Sequence, residues 1–209
     1  MWAPSFAGAC ANPTSRSNIC FEPFHMKPWQ ILSSQNVFDS FWVKIRKDAV
    51  RLANGRELDD FYVIERRDFS VIFGLTPDNR VPLVRQYKHG VRDFMLELPA
   101  GFIEDNEDPA HAARREFTEE TGFTAQSFEP LGKLFVGPSN MNHTAYAYLA
   151  RNAEDTGRQR LDDTEDIEVA LTPLDEILDA VASGRINCMT SVAVTHLAMQ
   201  RLRNGKTHD

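Results

Sequence analysis

Between Gly101 and Phe123 the chain reads GFIEDNEDPAHAARREFTEETGF, and no other stretch constrains its fold as tightly. Asp108 followed by Pro109 suits the N-cap and first position of a helix, and Gly122 suits the left-handed residue that ends one. One helix, punctuated at both ends, is therefore expected across the segment. Within it Glu116, Glu119 and Glu120 stand at i, i+3 and i+4, which puts three carboxylates on one face. Like charges so close weaken the helix that carries them, so something should compensate, and hard divalent cations liganded by oxygen are the natural candidates. Magnesium, with manganese as the alternative, suits the set better than a closed zinc site, because no thiolate or suitably spaced histidine accompanies the carboxylates. An isolated pair of glutamates would more often be a solvated helix face; the full spacing reverses that preference.

Strands are expected on both sides of this helix. From Trp29 to Phe73 short β-prone runs (Phe41–Ile45, Phe61–Ile64, Phe69–Phe73) alternate with turn residues such as Asn54-Gly55, which reads as an antiparallel meander. Val81–Tyr87 follows the Pro77-Asp78-Asn79 turn, and Phe94–Leu98 precedes Pro99; both belong to a main sheet. Beyond the helix, strands are expected at Gly132–Val136, Thr144–Ala150 and Ile167–Leu171, with an acidic loop from Asp155 to Asp166. Two helices close the chain, one from Pro173 to Gly184 and one over Ser191–Leu202. No internal repeat is evident.

The 209 residues, 42% of them hydrophobic, suffice for a buried core. A net charge of −7 lacks the basic excess of a nucleic-acid-binding surface, so nucleic acid is not expected as a partner. Cys10, Cys20 and Cys188 are few, odd in number and without metal-ligand spacing, which fits a reducing cytoplasm. No apolar run is long enough to span a membrane, and residues 1–26, rich in Ser, Pro, Asn and Ala, read as a disordered leader or an extension upstream of a start at Met26.

The segment 101–123 fits the pattern G-x5-E-x7-R-E-U-x-E-E-x-G-U, U being a bulky apolar residue, at Gly101, Glu107, Arg115, Glu116, Phe117, Glu119, Glu120, Gly122 and Phe123. It resembles the Nudix box without a departure. The resemblance implies an α/β (α+β) fold, the Nudix α/β/α sandwich with a mixed sheet over residues 76–205, preceded by a small antiparallel β domain over 27–75. It also implies hydrolysis of a nucleoside diphosphate derivative, with Glu116, Glu119, Glu120 and the carbonyl of Ala100, the residue before Gly101, as metal ligands. Arg115 reads as structural, pairing with a carboxylate such as Glu107, while Gly101 sits at a turn where backbone must approach the helix. For the base, the resemblance points to a carboxylate in the loop before the last strand, and Glu165 is the choice among its several acids; Glu119 and His143 remain alternatives.

Outside the box, Leu96-Glu97-Leu98-Pro99-Ala100-Gly101 and Pro138, sixteen residues beyond Gly122, are similar to the ADP-ribose pyrophosphatase group of that family. This likeness implies a homodimer that cuts ADP-ribose to AMP and ribose 5-phosphate, with Pro138 beside the substrate. The N-terminal domain would offer aromatic faces to the adenine, Trp29 first among Trp29, Phe38, Phe41 and Trp42. Arg85 and Lys88 would meet the phosphates, Lys88 standing where arginine is more usual and so without a bidentate grip. Another nucleotide sugar or dinucleotide, such as GDP-mannose or NADH, is the alternative substrate. A module that senses ADP-ribose without cutting it is disfavoured by the intact glutamates and the acidic charge.

Overall fold

The computed structural model describes residues 26–40 and 42–205, so the leader and the aromatic candidate Phe41 lie outside the described residues. In chain order the elements are β1 (Gln30–Asp39), β2 (Lys44–Arg51), β3 (Glu57–Glu65), β4 (Phe69–Leu75), β5 (Arg80–Lys88), β6 (Asp93–Glu97) and β7 (Ala100–Phe102). There follow α1 (Pro109–Thr121), β8 (Phe123–Phe135), β9 (Thr144–Asp155), β10 (Ile167–Pro173), a 3-10 turn at Leu174–Glu176, α2 (Ile177–Ala182) and α3 (Met189–Gly205).

Among the described residues three sheets form, in the orders β1-β2-β3, β10-β5-β6 and β7-β4-β9-β8. By internal contacts the chain divides into two units, one made of Asp48–Phe61 with the chain up to Ser34, the other of Gln35–Lys47 with the chain from Tyr62 onward. In the first unit the Asn54-Gly55 turn joins β2 to β3, with Gly55 at φ 85° and Leu52 N–H donating to the Arg56 carbonyl at 2.8 Å.

In the second unit β4 departs from the expected meander. It pairs parallel with β9, Phe69 opposite Ala145 through Leu75 opposite Arg151, and antiparallel with β7. The reason is burial on both faces: Val71 and Phe73 join the core that packs against α2 and α3, while Ile72 joins the one beneath α1. A strand covered on both sides loses the alternation that a meander strand shows, and its partner is set by contacts distant in sequence. The result is a layer of helix, sheet and helix, an α/β/α sandwich. Gly74 is obligatory in that layer, because a Cβ there would lie 2.6 Å from Cζ of the fully buried Phe117 of α1.

Two other expectations shift. β8 begins at Phe123, directly after the helix, and not at Gly132; Pro130 lacks an N–H for the ladder, and the register to β9 slips between Pro130 and Gly132. The helix expected from Pro173 is a 3-10 turn followed by the six residues of α2, and Gly184 at φ 77° lies two residues beyond its end.

Candidate active site

Helix α1 starts and stops where its punctuation directs. Asp108 accepts hydrogen bonds from the N–H groups of Ala110 at 2.9 Å and His111 at 3.3 Å, and Gly122, at φ 75°, donates to the Thr118 carbonyl at 2.8 Å. Ala113 and Phe117 bury its apolar face under the four-stranded sheet. That anchoring fixes the helix rotation, and Glu116, Glu119 and Glu120 consequently line a cavity of about 540 Å³.

Arg115 holds this face in order. Its Nε and Nη2 donate to the two oxygens of Glu107 at 3.0 and 2.9 Å, and Nη1 donates to Glu116 at 2.7 Å and to Glu119 at 3.0 Å. Nη2 also donates to the Phe102 carbonyl at 2.9 Å, so the arginine ties the β7–α1 loop to two helix carboxylates. Hydrogen bonding from Arg115, helped by the Glu104 N–H and His111, holds the Glu107 carboxyl down at about 2 against the opposing effect of burial. Burial, with the charges of Glu119 and Glu165, pushes Glu116 up to about 7 although Arg115 opposes it. Glu120, 3% exposed, is pushed up to about 8 by burial and by Glu116 and Glu165, while the Ala100 N–H and Lys88 oppose the shift.

Strand β7 closes against these carboxylates. Ala100 N–H donates to Glu120 Oε2 at 2.8 Å, and a Cβ on Gly101 would lie 2.0 Å from Glu116 Cδ, so any side chain there displaces the Glu116 carboxyl. Lys88, Ala100, Gly101, Arg115 and Glu165 line the same cavity as the glutamates. Of the acids from Asp162 to Asp166 only Asp162 and Glu165 do so, and the Glu165 carboxylate accepts a 3.0 Å hydrogen bond from the Asp162 N–H.

Other sequence candidates stand elsewhere. Strand alternation turns Gln86 and Lys88 toward the cavity and Arg85 away from it; Arg85 pairs with Glu168 at 3.2 Å and lies over the Phe94 ring at 4.9 Å. Glu107 acts on the site through Arg115, and Pro138 is in the Gly137–Met141 turn, outside the cavity lining. Trp29 belongs to the first unit, where it meets Phe61 edge-on at 5.5 Å. Trp42, 69% exposed, lines a second cavity with Arg66, Arg67, Phe102 and Glu104, residues that the two cavities share.

Sequence reasoning passed over Glu97, whose Oε2 is buried without a hydrogen bond and 3.4 Å from Lys88 Nζ. An acid between Leu96 and Leu98 in a strand was the available signal. Arg66, Arg67 and Arg160, also in the lining, carry no local pattern that would single them out.

The donor set suits a hard divalent cation: glutamate oxygens without thiolates among them, two carboxyls driven toward neutrality by burial and mutual repulsion that a cation would relieve. Among the described residues no three such side chains already stand at joint ligand distance. Arg115 takes one oxygen each of Glu116 and Glu119, and Ala100 N–H takes one of Glu120; the second oxygen of each is outside these bonds and could hold a metal.

Residues 65–190 match the NUDIX domain, and this span contains β4 to α2, the glutamate face and all of the cavity lining but Ser191. The chain belongs to the Nudix family. Residues 29–64 match the nucleoside diphosphate sugar hydrolase N-terminal domain. The Nudix chain is 28% identical over 171 residues to a methanol dehydrogenase activator of Bacillus methanolicus, covering 81% of this chain and 92% of that one. With an ADP-ribose pyrophosphatase of Bacillus subtilis (strain 168) it shares 23% identity over the same fractions. A crystal structure of an ADP compounds hydrolase superposes with a TM-score of 0.77 at 22% identity, covering 90% of this chain and all of that one, which establishes the shared fold. The protein is a Nudix hydrolase, a family that works with divalent metal ions.

Proposed function

We propose that this Nudix hydrolase cuts the pyrophosphate of ADP-ribose in the presence of magnesium, giving AMP and ribose 5-phosphate. The observation that carries the proposal is the cavity beside α1, where a face of glutamates braced by Arg115 meets Lys88 and Glu165. A relative named ADP-ribose pyrophosphatase, matched over most of both chains, favours this substrate.

In the proposed reaction a water oxygen attacks one phosphorus, the bond from that phosphorus to the bridging oxygen breaks, and the bridging oxygen leaves with the other phosphate. Glu165 receives the proton of the attacking water; its carboxylate lines the cavity, and its charge already couples to Glu116 and Glu120. Lys88 offers a point charge to a phosphate oxygen, and Glu97 at 3.4 Å restrains it. Glu116, Glu119 and Glu120, with the Ala100 carbonyl, would hold the magnesium, which when bound neutralises charge on the phosphate oxygens and acidifies water. Arg115 braces Glu116 and Glu119, and the Ala100 N–H holds Glu120.

The proposal includes a homodimer in the cytoplasm. All ten residues of β1 are exposed, Ile31, Leu32, Val37 and Phe38 among them, and such a strand favours burial against a second copy. The test is product analysis with purified protein, magnesium and a panel of ADP-ribose, ADP-glucose, GDP-mannose and NADH. AMP and ribose 5-phosphate should appear, with ADP-ribose cut most efficiently and all turnover stopped by EDTA. Intact ADP-ribose alongside a cleaved competitor would reassign the substrate.

A further inference from the structure

Three buried side-chain atoms among the described residues lack a hydrogen-bond partner, Glu97 Oε2, His143 Nδ1 and Thr195 Oγ1, and the first two belong to residues lining the same cavity. Glu97 at least faces Lys88. Among the described residues His143 Nδ1 has no hydrogen-bond partner, and the ring meets Phe69 at 5.9 Å between centroids. A buried polar atom left unpaired costs roughly 1 to 3 kcal/mol, and native structures seldom tolerate it without a use.

The ring is not loosely placed. On one side of it the Asn142 side-chain oxygen accepts the Arg66 N–H at 3.1 Å, and on the other the Thr144 N–H donates to Asp68 at 2.7 Å. Both neighbours are thus fastened to the loop between β3 and β4, while the imidazole itself, 6% exposed, is left unsatisfied in the cavity wall. Since Nε2 also makes no hydrogen bond and is not among the fully buried atoms, it is the nitrogen open to a ligand.

We infer that His143 is a substrate-binding residue whose imidazole hydrogen-bonds a hydroxyl of the sugar next to the diphosphate. In the proposed function the phosphates face Lys88 and the glutamates of α1. His143 instead stands against Phe69, and Val71 and Val136 line the same cavity, which gives it apolar surface suited to a sugar face. Burial and the Arg66 cation push the imidazole down from its ordinary value against the pull of Asp68, which favours the uncharged form. A neutral imidazole has both a donor and an acceptor nitrogen, which matches a hydroxyl better than an anion. A role as base in place of Glu165 is not required.

This inference rests on the nucleotide-sugar reading, and the test keeps the two apart. Catalytic efficiency is measured for wild type, His143→Phe and His143→Gln on whichever member of the panel wild type cleaves best, and on the analogue of that substrate lacking one sugar hydroxyl. Phenylalanine keeps the packing on Phe69 and should lose about tenfold on the intact substrate, the size of one neutral hydrogen bond. That loss should vanish on one of the deoxy analogues, glutamine should recover part of it, and melting temperatures should stay level. The identity of the best substrate judges the functional proposal. Unchanged efficiency in His143→Phe, or an equal loss on every analogue, overturns the inference whichever substrate wins.

Discussion

Replacing Gly101 by alanine probes the tightest contact in the site. The new Cβ would stand 2.0 Å from Glu116 Cδ and 2.1 and 2.3 Å from its oxygens, whereas ordinary contact begins at 3.4 Å. The carboxylate must therefore retreat by 3.4 − 2.0 = 1.4 Å, or β7 must lift off α1 by the same amount. Neither is easy: the Glu116 side chain is 12% exposed and tied to Arg115 at 2.7 Å, and Ala100 is tied to Glu120 at 2.8 Å. Overpacking of this kind costs about 1 to 3 kcal/mol of stability. A misplacement of about 1 Å at a reacting group costs about a hundredfold in rate. Gly101→Ala should accordingly fold, melt a few degrees lower and lose about a hundredfold in kcat/KM in magnesium. Gly90→Ala, where a Cβ meets nothing within 4 Å, is the matched control and should behave as wild type. A Gly101→Ala enzyme within about threefold of wild type would falsify the claim that Glu116 works from this position.

Glu120→Gln should lose at least about a hundredfold in turnover with the fold intact, in line with removing a metal ligand, as circular dichroism and steady-state assays can check. Lys88→Ala should raise KM for the diphosphate substrate, whereas Arg85→Ala, on the other face of β5, should leave kinetics unchanged; an equal effect of both would contradict the strand's orientation. Because the Glu107 carboxyl is held at about 2 in the folded protein against an ordinary 4.5, its pairing stabilises fully above 4.5 and is lost as pH falls toward 2. The melting temperature of Glu107→Gln should thus trail wild type at pH 7 and converge with it across that window; a gap constant down to pH 2 would exclude the linkage. Phe117→Ala should destabilise by about 3 to 5 kcal/mol in denaturant titration, since the ring is fully buried over Gly74 and leaves a cavity that the rigid sheet cannot close.

Local chemistry made much of this protein legible from its residues. The limits of α1 follow from Asp108, Pro109 and Gly122, whose effects act within a turn of helix, and the shared face of Glu116, Glu119 and Glu120 follows from helical period alone. The hydrophobic runs likewise announced most strands. What the runs could not convey is pairing: Phe69–Phe73 is an apolar strand wherever it lies, and its parallel match to β9 was decided by the two cores it separates. The same limit applies to the site. Arg85 and Lys88 look equivalent in a list of cations, but β5 pairing directs only one of them into the cavity. Arg66, Arg67 and Arg160 carry no local signature, because their environment is made of residues far along the chain. Sequence by itself determined the elements and the carboxylate face, which depend on neighbours a few residues apart; tertiary structure decided which charges are buried together, because desolvation and Coulomb forces act through space and not along the chain.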